Sequence, residues 1–270
     1  MSQRIAPTVP RLDIVLLGRF RVRTTTGREL RLLGRHAQAL FALLALTRRP
    51  RTREAIAADL WPDSVAVSTG PLRQALYQVR QAMTAIGLDP DAVLEADAES
   101  LGLHPSAVAS LDVERFEWCS DDVSCTPEQA IELYGGDLAE GLGHDCFAAE
   151  RERLADRFED ALALVAERSL VIGDLPGARV AAERLVVRDP LREEAHAVLI
   201  AVHGLTGSRA QVVRQYRRVS EILARELGEG PLPETDATYR QALARTVERS
   251  HERAVEIEPP VPAPLLVVGR

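Results

Sequence analysis

Between Arg35 and Ile86 the chain sets three short amphipathic helical patterns in a row, an arrangement few folds accommodate. The first pattern runs from about Arg35 to Thr47, with Leu40, Leu43 and Leu44 at core spacing, and Pro50 breaks it. Thr52 is placed to cap a second helix carrying Ile56, Ala57 and Leu60, which Trp61-Pro62 stops. The third starts around Ser68 to Pro71 and runs to about Ile86, with Leu72, Leu76, Val79, Met83 and Ile86 forming one apolar stripe. Its opposite face carries Arg73, Gln74, Tyr77, Gln78, Arg80 and Gln81. Three helices with such a third face read as a helix-turn-helix that contacts DNA.

Charge is segregated in the same sense. Up to Ile86 there are 14 arginines against 5 acidic residues, net +9; from Gly87 onward there are 19 against 35, net −16, which together give the overall −7. A basic head is the electrostatic footprint of phosphate contact. Every basic residue apart from histidine is arginine, and because arginine also populates the acidic part, its exclusive use carries no functional signal.

Elements flanking the helices extend the first domain. Leu12–Val22 and Leu30–Leu33, separated by TTTG, predict a small antiparallel sheet turning at Gly27. After Gly87 the run VLEADAESLGLH predicts two short strands around a polar turn, a wing, and the domain is expected to end near Trp118. From Pro127 the sequence becomes alanine-rich, acidic and helical, with Leu154, Phe158, Leu162 and Val165 on one face of a long helix from Cys146 to Ile172. Aligning Gly173 with Gly207 pairs Ala178 with Val212, Ala182 with Tyr216 and Leu185 with Val219 at a constant offset of 34, the tetratricopeptide period. Asp189-Pro190 closes a helix in the first copy and has no counterpart in the second.

The expected fold class is mainly α: an N-terminal α+β winged helix followed by an all-α helical domain of tetratricopeptide type. The expected divisions are a flexible 1–11, a winged helix over 12–118, a linker over 119–127, the helical domain over 128–248 and a proline-rich tail over 249–270. The tail EIEPPVPAPLLVVGR either packs as a strand on its own body or leads into a further domain, the reading we favour.

No stretch has the ~18 uninterrupted apolar residues of a membrane span. The N-terminus lacks the apolar core of a signal peptide, and three cysteines without CxxC spacing fit a reducing cytoplasm, where the protein is expected to reside. His144 and the three cysteines lack the close ligand pairs of a structural zinc site, so neither a metal nor a cofactor is expected. Phosphate loops, dinucleotide fingerprints, HExxH and GxSxG are all missing from the sequence, which argues against an enzyme.

In order and spacing the chain resembles the antibiotic-regulatory-protein (SARP) family of bacterial transcriptional activators, from about Leu12 to Leu243. The first domain carries LGRFRV, LFALLAL, REAIAADLWPD, LRQALYQVRQAM and LDVERFE; the second carries LYGGDL, AERERL, the GD opening the repeat, RDPLREEAH and QYRRVSEILARELGEGPLPET. The resemblance implies an OmpR-type winged helix joined to a bacterial transcriptional activation domain, which binds direct repeats near a promoter and recruits RNA polymerase holoenzyme. An acidic wing turn, with Asp97 and Glu99, departs from the family's glycine and basic or neutral tip.

On this reading the base contacts come from Arg73, Gln74, Tyr77 and Gln78, in the first two turns of the third helix, since Arg forks match guanine and Gln pairs with adenine. Backbone contacts fall to Arg48, Arg49, Arg51, Arg53, Thr69, Arg80 and Gln81. Double-stranded promoter DNA and RNA polymerase are the expected partners, homodimerisation is open, and no membrane is involved. The alternative is a non-enzymatic adaptor, in which a degenerate winged helix only docks and the helical domain binds a protein or ligand.

Overall fold

The computed structural model describes residues 11–47, 49–62, 69–122 and 124–256, apart from the side chains of 69 and 249–256. The chain divides into two compact units, Met1–Ala161 and Leu162–Arg270.

In the first unit, β1 (Leu12–Val15) pairs antiparallel with β2 (Arg21–Thr24). The sequence suggested a single strand through Val22; instead Gly18, at φ 90°, reverses the chain within it. A β-carbon at Gly18 would lie 3.0 Å from the carbonyl carbon and oxygen of Gly135, so the turn also needs glycine for close backbone approach. The amides of Leu16 and Leu17, past the end of β1, donate to the Asp112 carboxylate rather than to a neighbouring strand.

The turn at Gly27 forms, but Leu30–Leu33 is not a strand. Beyond the Arg23–Glu29 bridge and a 2.9 Å bond from the Leu30 amide to the Val22 carbonyl, the segment leaves the sheet. The Gln38 side chain donates to the Leu32 carbonyl, and Leu33 points into solvent.

Three helices follow: α1 (Arg35–Leu46), α2 (Arg53–Leu60) and α3 (Thr69–Ala85). Thr52 caps α2 as expected, its hydroxyl accepting from the Ala55 amide at 3.2 Å. Leu72, Val79 and Met83 on α3 are fully buried and Leu76 nearly so, against Leu40, Leu44 and Ile56 in the same core. Between α1 and α2 the short β3 (Arg51–Thr52) forms one side of a second sheet.

After α4 (Pro90–Val93), the wing is the antiparallel pair β4 (Leu94–Ala96) and β5 (Ser100–Leu103), with β5 also paired to β3. Next, β6 (Val108–Leu111) returns to the first sheet and pairs parallel with β1, a strand the sequence did not single out.

The first unit continues through α5 (Asp112–Asp121), α6 (Pro127–Leu133) and the start of α7 (Ala148–Ile172). Along AERERLADRFED, Arg153 joins Glu150 one turn back and Glu117 on α5, and Arg157 reaches Asp121 at 2.8 Å. Cys119 and Cys125 are joined in a disulfide across the α5–α6 connection, whereas free thiols were expected.

The second unit contains α8 (Leu175–Arg188), α9 (Glu193–Leu205), α10 (Arg209–Glu226) and α11 (Pro233–Glu256). Gly173 and Gly207, the two aligned glycines, both adopt positive φ (82° and 78°) immediately before α8 and α10. Ala178, Ala182, Leu185, Val212 and Val219 are buried, so the 34-residue correspondence is one of core positions. Tyr216 is half-buried and stacks on Tyr239 at 4.0 Å, and its hydroxyl donates to Asp236 at 2.5 Å. Glu193 accepts from the Leu232 amide and the Thr235 hydroxyl, fastening the start of α11 to the start of α9. The tail residues 257–270 lie outside the described residues. No helix among the described residues is long and apolar enough to cross a membrane.

Candidate nucleic-acid interface

The core stripe of α3 fixes what its other face presents. With Leu72, Ala75, Leu76 and Val79 turned inward, helical spacing sends Arg73, Gln74, Tyr77 and Gln81 outward, and all four are exposed. Tyr77 keeps 58% of its surface, a large share for an aromatic side chain with no role in the core. Gln78 is half-buried beside the start of α1, where a β-carbon on Gly34 would stand 3.5 Å from its Oε1. Three of the four expected base-contacting residues thus share an exposed surface, and the fourth sits at its edge. The far end of α3 is held by Arg28, whose guanidinium donates to the Ile86 carbonyl at 2.8 Å.

The residues expected to contact the backbone divide more sharply. Arg49 and Gln81 are exposed. Arg51 pairs with Asp59 on α2 at 2.5 Å, and Arg80 with Asp91 on α4 at 2.9 Å. Arg53 donates through Nε and Nη2 to the Asp97 carbonyl, and its amide bonds the Glu99 carbonyl, so it ties the start of α2 to the wing tip. These three arginines therefore have internal structural work that sequence spacing could not disclose. Arg48 and the side chain of Thr69 lie outside the described residues.

The acidic wing turn is self-supporting. The Asp97 carboxylate accepts from the Glu99 and Ser100 amides and from the Ser100 hydroxyl, and the Ser100 amide bond first among these holds its pKa below the usual carboxylate value. An aspartate at this position closes the hairpin turn, which accounts for it without any ligand.

Trp61, which ends the second helix, is half-buried, its ring tilted against His36 at 5.5 Å. His36 in turn lies 3.4 Å from His144. Burial, with a smaller push from His36, holds His144 below the ordinary imidazole value. Cys146 is a free thiol pushed up to about 11 by burial and then by Asp59. Tyr134 and Phe147 are core residues: Tyr134 stacks on Phe158 at 4.2 Å and bonds Asp137.

Sequence reasoning passed over Asp112, which positions the first sheet against α5 by accepting from three backbone amides, those of Leu16, Leu17 and Val113. An aspartate opening a helix directly after the strand-like VASL is the signal that marks it.

Residues 121–243 match the family model of the bacterial transcriptional activator domain. None of the curated proteins matches the chain. Among solved structures, EmbR of Mycobacterium tuberculosis, in complex with a low affinity phosphopeptide, superposes with a TM-score of 0.66 at 20% identity, over 92% of this chain and 71% of that one. Residues 121–243 are thus similar to a bacterial transcriptional activator domain and follow a winged helix, the order of parts that the sequence resemblance to the antibiotic-regulatory-protein activators implies.

Proposed function

We propose that this chain is a sequence-specific DNA-binding transcriptional activator, with α3 entering the major groove of promoter DNA. The observation that carries the reading is the exposed Arg73, Gln74 and Tyr77 face of α3, in a chain whose residues 121–243 match an activator domain. Arginine forks recognise guanine, glutamine amides recognise adenine, and Tyr77 offers a flat apolar ring with a hydrogen-bonding tip. Arg49, exposed between α1 and α2, and Gln81, exposed on α3, would meet phosphates, with Gln78 at the margin of the face. In this reading the helical domain engages RNA polymerase holoenzyme in the cytoplasm, and direct promoter repeats are bound by two copies of the chain.

One observation favours the adaptor reading. Arg51, Arg53 and Arg80 each have a partner within the protein, which leaves fewer free cations for phosphate contact than the sequence promised. Selection of duplexes retained by the purified chain from a random pool, at two salt concentrations, separates the two. An activator enriches a defined, repeated motif and binds more weakly as salt rises, because counterions released from each phosphate contact set the salt slope. Recovery of the pool without enrichment would favour the adaptor.

A further inference from the structure

One concavity that the α3 reading leaves unused lies in the first unit. It is a cavity of about 730 Å³ between β2, the segment 29–32, the first turns of α1 and the loop at 140–142. Its floor is apolar, formed by the buried Val22, Leu30, Leu32 and Leu142. Its rim is arginine: Arg19, Arg21, Arg31 and Arg35, all exposed. Two acids share the lining, Glu29 and Glu140. Arg31 pairs with Glu29 at 3.2 Å, whereas Arg19, Arg21 and Arg35 form no ion pair with an acid among the described residues.

Arg19, Arg21 and Arg35, on one rim and without an ion pair among the described residues, gain nothing from one another, and neither sheet pairing nor α1 packing needs them. Their geometry instead resembles a site built for anions. Guanidinium groups pair with carboxylates or phosphates through two parallel hydrogen bonds, and the volume lies in the range of ligand sites.

The two glutamates decide between kinds of anion. A polyphosphate or a DNA backbone, with negative charge closely and evenly spaced, would be driven against Glu29 and Glu140. A peptide whose carboxylates are separated by apolar side chains can place its acids on Arg19, Arg21 and Arg35 and its apolar groups on the Val22–Leu30–Leu32 floor. We propose that this arginine-rimmed cavity is a docking site for an acidic, apolar-interleaved peptide segment of a protein partner, a contact made by residues other than the base-contact candidates on α3.

The test uses the full chain and a short fluorescent peptide alternating glutamate with leucine, read by anisotropy, beside the same peptide with glutamine in place of glutamate. Saturable binding of the acidic peptide alone is expected, weakened about tenfold or more in R21E/R35E, a difference of about 1.4 kcal/mol or more. R21Q/R35Q stands in if the reversal unfolds, with the thermal midpoint checking either variant. R225E, on α10, should leave binding unchanged. No saturable binding to the wild-type chain, equal binding of the glutamine peptide, equal affinity in the variant, or displacement by pyrophosphate or duplex DNA at comparable concentration would each overturn the proposal. Because the readout is peptide binding, it stands or falls independently of whether α3 reads DNA.

Discussion

Two buried polar residues illustrate how single side chains hold this molecule together. Asp112 is 9% exposed, and its carboxylate gathers the Leu16, Leu17 and Val113 amides. Burial outweighs those bonds and raises its pKa above the usual carboxylate value. Asp112→Ala strands three amides, and chemical denaturation should register a loss of about 1–3 kcal/mol. His196 is fully buried; one ring nitrogen faces the Pro190 carbonyl at 3.0 Å and the other the Gln215 amide at 2.8 Å. That pairing suits the neutral ring, with Nε2 donating to Pro190 and Nδ1 accepting from Gln215. Burial first, and then Arg218, lowers its pKa from the ordinary 6.5, against the opposing pull of the Pro190 carbonyl bond and the smaller ones of Glu193 and Asp189. The unfolded chain therefore takes up the proton at a higher pH than the fold does. Stability is complete above the unfolded value of 6.5 and is lost as pH falls below it toward the folded value. His144 and His203 are shifted the same way, chiefly by burial. Thermal midpoints should thus decline from pH 7 to 5, and His196→Gln should lower the midpoint at pH 7 while flattening that decline.

At the scale of elements, the crossing of α9 and α11 depends on a missing side chain. A β-carbon at Gly204 would meet the β-carbon of Ala242 at 2.7 Å and its α-carbon at 2.8 Å, so the two helices touch through their backbones. Gly204→Val should cost about 1–3 kcal/mol by overpacking, measured as a lowered denaturation midpoint. In the first unit, Arg49 is exposed, unlike Arg51 and Arg53, which are committed to Asp59 and the wing. Arg49→Ala should weaken DNA binding equally for all sequences and reduce the salt slope by about one. Arg51→Ala should instead lower stability, and Arg53→Ala should loosen the wing. The contrast shows what sequence conveys at this scale. Helix periodicity placed α1, α2 and α3 to within a residue or two, because each stripe is local. The pairing of β1 with β6 was not legible, since the two strands lie over ninety residues apart and no local pattern records a parallel partner. Leu12–Val22 read as one strand because apolar content hides a glycine turn that becomes necessary only against Gly135 and Gly136.

For the whole molecule, the charge division between Met1–Ile86 and the remainder was legible in full, as was the 34-residue correspondence between α8 and α10, because both are linear properties of the chain. The candidate interface was legible in part. Periodicity found the outward face of α3, but the partners that occupy Arg51, Arg53 and Arg80 come from other elements. A match to an activator domain over 121–243 fits the order of the two halves. The central claim is that the α3 face reads base sequence, and it stands on Arg73 and Gln74. The most direct test compares the wild-type chain with R73A/Q74A on the duplex enriched from the random pool and on a scrambled duplex of equal length. Each lost bidentate base contact removes about 1–3 kcal/mol, so the preference for the enriched duplex should collapse by about tenfold or more while scrambled-duplex binding changes much less. An unchanged preference in the double variant would contradict the account.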